Sequence, residues 1–217
     1  MANQAFKAVL FDFGGVISES PFAAFSRFER ERELPESFLR KINSSNPDGN
    51  AWARFERSEI TPEEFDVAFA AESRRAGHQV RGFEVIDLLF GELRHEMLEA
   101  VRRCKKHYTV ACLTNNIRHA EGHGLARDPQ RAEHWRAAMA LFDASVQSSE
   151  VGMRKPEPRF YELACETLSI MPRQAVYLDD LGINLKPAQA MGMTTIKVTD
   201  PRSALQSLEK LLEIPLL

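Results

Sequence analysis

Four short apolar runs, at residues 8–11, 109–113, 175–178 and 194–198, have the length and composition of buried parallel strands. A weaker run at 144–147 is a fifth candidate. Between the later runs the apolar positions move to helical spacing, as in Phe160, Tyr161, Leu163 and Ala164 continuing to Leu168. The same happens after Asp200-Pro201, where Leu205, Leu208, Leu211 and Leu212 mark a last helix. Strands alternating with amphipathic helices predict an α/β fold: a doubly wound, Rossmann-like, mostly parallel sheet.

The stretch between the first two strands reads differently. Residues 21–93 carry helical patterns only. Phe22, Phe25 and Phe28 recur at helical spacing, and Thr61-Pro62-Glu63-Glu64 combines an N-cap, a first-turn proline and a capping-box acid. Phe65, Val67, Ala68 and Phe69 follow as expected apolar contacts. Phe22, Phe25, Phe28, Trp52 and Phe55 read as the core of this segment. A small all-helical cap inserted after the first strand is therefore expected, lying over the carboxyl edge of the sheet where α/β ligands bind. The expected division is a catalytic core of residues 1–20 and 94–217 and a helical cap of residues 21–93. A helix from His95 to about Lys106 leads back into the core. The chain reads as complete at Leu217, without a linker or second catalytic domain.

Composition narrows the function classes. Of 217 residues, 44% are hydrophobic and 27% charged, which suits a globular protein with a real core. A net charge of −3 predicts no electrostatic binding to nucleic acid or membrane. Three cysteines, an odd number without metal-ligand spacing, suit a reducing compartment, and a cytoplasmic location is expected. No stretch approaches the ~20 apolar residues of a membrane helix.

The chemistry-bearing residues stand at strand ends. The first strand delivers Asp12, followed by Phe13, Gly14 and Gly15, so a carboxylate meets a turn whose glycines permit close backbone approach. The second delivers Thr114, Asn115 and Asn116, a hydroxyl and backbone N–H groups suited to phosphoryl oxygens. Lys155, within Gly152-Met153-Arg154-Lys155-Pro156-Glu157-Pro158, precedes a helix and offers a compensating cation. The run 175–178 ends in Asp179-Asp180, a pair costly to bury unless a cation neutralises it, and hard oxygen donors of this kind suit Mg²⁺. Asn184 reads either as a helix-start residue or as a group that orients Lys155 or the acids. His119 and His123 share a four-residue spacing, but Gly122 and Gly124 argue for a loop. The arginine-rich stretch 127–136 reads as a solvated loop and helix face.

In this order, the residues resemble the four motifs of the haloacid dehalogenase superfamily: Asp12 the first, Thr114 the second, Lys155 the third, and Asp179-Asp180 the fourth. The resemblance is strongest to the amino-terminal phosphatase domain of soluble epoxide hydrolases. It rests on Val151-Gly152-Met153 before Lys155-Pro156-Glu157-Pro158, and on the run from Leu178-Asp179-Asp180 through Asn184 to Gly192-Met193. It implies a Mg²⁺-dependent phosphatase acting on a small organic phosphomonoester through an aspartyl-phosphate. Asp12 is then the nucleophile. Phe13, Thr114, Asn115 and Lys155 hold the phosphoryl group, with Thr114 and Lys155 also catalytic. Asp12, the Gly14 carbonyl, Asp179 and Asp180 hold the metal, and Asn184 supports them. The implied partner is a small phosphate substrate, with the protein a monomer or homodimer; epoxide hydrolysis is not expected. Two alternatives belong beside this reading: a phosphate-ligand binding domain of weak activity, and a metal-independent 2-haloacid dehalogenase, against which the paired acids argue. One position departs from the family pattern. Most phosphatases of this superfamily carry a general-acid aspartate two residues after the nucleophile, where this chain has Gly14. Candidate proton donors in its place are water or a cap side chain such as Glu19 or Glu56.

Overall fold

The computed structural model describes residues 6–117 and 122–217. Its sheet has five parallel strands, β1 (Ala8–Phe11), β2 (Thr109–Thr114), β3 (Ala144–Gln147), β4 (Ala175–Asp179) and β5 (Thr194–Lys197), in the order β3-β2-β1-β4-β5. All five apolar runs are strands, and two reach further than expected. β2 continues to Thr114 and β4 to Asp179, because both residues still pair with a neighbouring strand, Gln147 and Lys197 respectively. β5 stops at Lys197, one residue short of the expected end.

Five helices lie between β1 and the return to the sheet: α1 (Phe22–Glu31), α2 (Phe38–Ser44), α3 (Ala51–Glu56), α4 (Pro62–Arg75) and α5 (Gly82–Ile86). Then come α6 (His95–Lys105), α7 (Pro129–Met139), a one-turn α8 (Ser148–Val151), α9 (Pro158–Leu168), α10 (Gly182–Ala190) and α11 (Pro201–Leu212). The fold is a Rossmann-like α/β sheet with helices on both faces.

Alternation along the strands divides the core in two. Val9, Phe11, Val110, Cys112, Val176 and Leu178 face one side and pack with Met97, Val101, Leu205 and Leu208 of α6 and α11. Ala8, Leu10, Ala111, Leu113, Ala175 and Tyr177 face the other and pack with Phe160, Tyr161, Leu185 and Ala188 of α9 and α10. Because both faces are covered, the central strands β1, β2 and β4 are largely apolar rather than alternately polar.

The five-helix segment has its own apolar cluster, centred on Phe55, Phe65 and Phe69, with the Phe55 and Phe65 rings stacked at 4.5 Å. Helix α4 begins as the sequence predicts. Thr61 Oγ1 accepts the Glu64 N–H, Glu64 accepts the Thr61 N–H, and Pro62 occupies the first turn. Such a cap is worth about 1 kcal/mol. One expected contact is corrected: Phe65 and Phe69, four residues apart, bury one face of α4, so Val67 falls on the opposite face and is 68% exposed. The arginines of the stretch 127–136 lie on a solvated loop and helix face, as expected. Arg127 pairs with Asp87 and Arg131 with Glu92, while Trp135 packs on Phe13 at 4.7 Å.

No helix among the described residues is long and apolar enough to cross a membrane.

Candidate active site

The site assembles because register places strand ends level. Phe11 pairs with Cys112 and with Leu178, so the next residue, Asp12, stands beside Leu113 on one side and Asp179 on the other. The Asp12 N–H continues the ladder to the Leu178 carbonyl at 2.8 Å. After Asp12 the chain makes a tight turn over Phe13–Ile17, in which Gly15 adopts φ of 81°. A Cβ at Gly15 would overlap the Asp180 carboxylate, so this position needs glycine for both conformation and space. Arg94 holds the turn from α6, donating to the Gly15 carbonyl at 2.7 Å.

Lys155 is the centre of the arrangement. Only 1% exposed, its Nζ donates to the Leu113 carbonyl and to Asp179 Oδ2, both at 2.9 Å, and lies 2.8 Å from Asp12 Oδ1. These three acceptors match the three N–H bonds of an ammonium. The Asn115 side chain fixes the backbone that presents it. Asn115 Oδ1 accepts the Lys155 N–H at 2.8 Å, and Asn115 Nδ2 donates to the Lys155 carbonyl at 3.0 Å. Sequence reasoning looked only to the Asn115 backbone; an amide side chain directly after a strand-end threonine was the available signal. Thr114 is buried at the end of β2 beside them.

Asp12 Oδ1 is also taken by the Phe13 N–H at 2.6 Å. That differs from the expectation that this N–H faces a phosphoryl oxygen: here it orients the carboxylate. No donor among the described residues reaches Asp12 Oδ2. Asp179 is fully buried and heavily bonded, accepting from Lys155, the Tyr177 hydroxyl, the Leu181 N–H at 2.8 Å and both branches of an Asn184 amide contact at 3.1 Å. Tyr177 is a partner the sequence reading missed, since it reads simply as a strand residue. Gly14 is half-buried with φ of −70° and ψ of 126°.

The two expected proton-donor candidates lie elsewhere in role. Glu19 is exposed, and its N–H pairs with the Glu92 carbonyl where the helical segment leaves the sheet. Glu56 is buried and accepts from Trp52 Nε1 at 2.9 Å and Asn115 Nδ2 at 3.3 Å, with Arg154 Nε 2.6 Å away as an ion pair rather than an aligned hydrogen bond. Its oxygens are occupied as acceptors, so it ties α3 to the Lys155 loop. His119 lies outside the described residues. His123 stacks on Phe83 at 4.0 Å, in a loop as expected.

One carboxylate oxygen each from Asp12, Asp179 and Asp180 fall within 4.8 Å of one another. The donor set is hard and anionic and fits Mg²⁺, which takes few carboxylates and keeps waters. Asp179 is largely committed to its protein partners, which leaves Asp180 as the freer of the two adjacent acids.

Burial pushes the Asp12 carboxyl well above its usual range, with Lys155 opposing and Asp179 adding to the rise. For Lys155, burial favours the neutral amine, but the Asp12 and Asp179 carboxylates outweigh it and hold the ammonium well above its ordinary range. Burial and the neighbouring Asp179 charge push Asp180 up to about 6. A raised carboxyl stabilises the fold while protonated. The Asp180 contribution is therefore complete below its ordinary 3.8 and lost as pH rises through about 6. In chelator, the melting temperature of wild type relative to Asp180→Asn is expected to fall by about 5 °C across that window. Parallel melting curves against pH would show that Asp180 is not so perturbed.

The family follows from the comparison with known proteins. Residues 6–192 match the model of the haloacid dehalogenase-like hydrolases. The chain belongs to this family. The family match accords with the four-motif order. Among curated proteins it is 33% identical over 223 residues to mouse acyl-CoA dehydrogenase family member 10, covering 99% of this chain and 20% of that protein. It is 32% identical over 229 residues to pig bifunctional epoxide hydrolase 2, covering 98% and 40% respectively. The chain thus spans less than half the length of these two relatives. A sesquiterpene phosphatase, astK, of Aspergillus oryzae matches along nearly its whole length, 26% identical with 95% of this chain and 96% of that protein covered. Among solved structures, a haloacid dehalogenase family enzyme of Bacteroides thetaiotaomicron in complex with magnesium and inorganic phosphate shares the fold. Its TM-score is 0.59 and its identity 20%, over 89% of this chain and 94% of that one.

Proposed function

We propose that this haloacid dehalogenase-like hydrolase is a Mg²⁺-dependent phosphatase that cleaves a small organic phosphomonoester through a phosphorylated Asp12. The observation that carries this reading is the pairing of a buried ammonium, Lys155, with a carboxylate whose second oxygen is left open, Asp12, beside two further acids. The phosphatase named among the relatives, and the magnesium and phosphate held by a protein of the same fold, support it.

Asp12 Oδ2 attacks phosphorus in line, the phosphorus–oxygen bond to the organic group breaks, and the alkoxide or phenoxide departs with its electron pair. Phe13 N–H and Lys155 hold Oδ1 and so aim Oδ2. Lys155 compensates charge on the transferring group, exchanging one of its present acceptors for a phosphoryl oxygen, while the Thr114 hydroxyl and the Asn115 N–H offer further donors. Water then attacks phosphorus, releasing inorganic phosphate and restoring the Asp12 carboxylate. Asp180, the Gly14 carbonyl and the Asp12 oxygen that does not attack phosphorus would hold Mg²⁺, with Asp179 acting directly or through water; the ion would neutralise phosphoryl charge. Asn184 and Tyr177 keep Asp179 in place. Residues 21–93 act as a cap that shelters the reaction from water.

Phosphate release from an aryl phosphate is expected with Mg²⁺ and is expected to fall at least tenfold in chelator, returning on readdition. Chloride release from a 2-haloacid in chelator would instead establish the dehalogenase alternative. Tight binding of phosphorylated compounds without turnover of any, Mg²⁺ present, would leave only the binding-domain alternative.

A further inference from the structure

A cavity of about 520 Å³ opens beside the acid cluster, between the helical segment and the carboxyl edge of the sheet. Gly15 and Asp180 border it, so it adjoins the proposed metal site, whereas Asp12 does not line it. The space is of the size that holds a small organic molecule, several times what a phosphoryl group fills. It would therefore receive the rest of the substrate.

Its charge is distinctive. Arg40 comes from α2, Arg94 from the start of α6 and Lys197 from the end of β5, three cations from three separate elements converging on one space. Several arginines elsewhere do meet carboxylates, as Arg81 meets Asp66, Arg127 meets Asp87 and Arg154 meets Glu56. The three cavity cations have no such partner within ion-pair distance among the described residues. Arg40 lies over the Phe22 ring at 4.3 Å, Arg94 donates to the neutral Gly15 carbonyl, and its charge reaches Asp200 only at longer range. The one carboxylate in the lining is Asp180, which the proposed metal site would occupy. Phe22 and Ile183, the latter 61% exposed, supply an apolar wall to the same space.

We propose that this cavity binds a second anionic group, phosphate or carboxylate, carried on the organic part of the substrate. As a statement about substrate class it rests on the phosphatase reading. Arg40 and Lys197 are exposed side chains free to close on an anion, Arg94 is already fixed by the Gly15 carbonyl, and the apolar wall accommodates a short carbon skeleton linking the two anions. The substrate would then be held at both ends, with binding at the cavity aligning its phosphoryl group on Asp12.

The test compares alkanediol bisphosphates of two to six carbons with the matching alkyl monophosphates, in wild type and in Arg40→Gln/Lys197→Gln. Wild type is expected to prefer a bisphosphate of one chain length by about tenfold or more in kcat/KM. In the double variant that preference is expected to fall by about 10–100-fold, mainly through KM. Equal losses on both substrate classes would mean that the cations only attract any phosphate at long range, and would overturn the proposal. An unchanged preference would overturn it too. Binding of the same bisphosphates to Asp12→Asn, measured by calorimetry with Mg²⁺ present, separates this inference from the phosphatase reading. Weaker binding when Arg40→Gln/Lys197→Gln is added supports the cavity even if nothing is hydrolysed, and unchanged binding rejects it. Turnover of monophosphates without any bisphosphate preference would keep the phosphatase and sink the second anion site.

Discussion

Asp12→Asn is expected to reduce Mg²⁺-dependent phosphate release by about 10⁴-fold or more while leaving the protein at least as stable as wild type. Asparagine reproduces the shape of aspartate, and its amide oxygen can still accept from the Phe13 N–H and from Lys155, so the turn after β1 keeps its anchors. What it lacks is a carboxylate, one oxygen of which can attack phosphorus while the other ligates a hard cation. The stability half of the expectation comes from the electrostatics. Burial raises the Asp12 carboxyl well above its usual range, which means that the ionised form is held at a cost in the metal-free fold. Removing that charge relieves repulsion with Asp179 and Asp180 while Lys155 retains Asp179 as its counter-ion. The melting temperature in chelator should stay level or rise by a few degrees, at about 2–4 °C per kcal/mol for a chain of this size. The rise in melting temperature on adding Mg²⁺ should shrink, since one ligand has gone. Retention of more than about 1% of wild-type activity would place the nucleophile elsewhere. A loss of activity accompanied by a clearly lower melting temperature would assign the effect to folding instead.

The framework around Asp12 was legible because it obeys short-range rules. Strands buried on both faces must be continuously apolar, so β1, β2 and β4 are legible; the edge strands β3 and β5 are only partly buried and mix polar with apolar residues, yet they too lie at the expected runs. Thr61 to Glu64 announced the start of α4 because a capping box is written within four residues. Legibility ends where partners come from distant parts of the chain. Nothing near Glu56 indicates that Arg154, almost a hundred positions later, will meet it, so its candidacy as a proton donor did not anticipate a carboxylate engaged on all sides. The Asn115 side chain clasps the Lys155 backbone forty positions away, and Tyr177 reads as a core aromatic until its hydroxyl is found against Asp179. Val67 lies outside the cluster for a local reason: a helix can bury only one stripe of an apolar run. The cations of the cavity beside the acid cluster are invisible for the same long-range reason as the partners of Glu56, since Arg40, Arg94 and Lys197 are unremarkable residues until α2, α6 and β5 bring them to one space.

Gly14→Asp is expected to raise kcat/KM for alkyl phosphates by about 10²-fold or more and to change aryl phosphate turnover little. The position is open to it. Gly14 has φ of −70° and ψ of 126°, which any L-residue adopts, and a Cβ built there meets nothing within 4 Å. Glycine here is thus not demanded by the backbone, in contrast to Gly15, whose φ of 81° and contact with Asp180 leave no alternative. The new carboxyl would stand two residues from the nucleophile on the open side of the turn, where the departing oxygen of the substrate would lie. An alkoxide leaving without a proton is a poor leaving group, so a donor there lowers the barrier; a phenoxide needs little help. The added group must be protonated to act, so the gained alkyl phosphatase activity should fall as pH rises through its pKa, a limb that wild type lacks. A fourth carboxyl close to Asp12 and Asp180 adds repulsion, and the variant should melt somewhat lower than wild type in chelator, recovering with Mg²⁺. Gly14→Asn controls for bulk, having nearly the same shape and no acidic proton. If Gly14→Asp and Gly14→Asn behave alike on alkyl phosphates, the proton is already supplied in wild type by another group or by water, and the glycine is not the reason for any preference for good leaving groups. If only the aspartate variant gains, the wild-type turn lacks a general acid, and the protein is matched to substrates whose leaving oxygen is already acidic or carries its proton in from solvent.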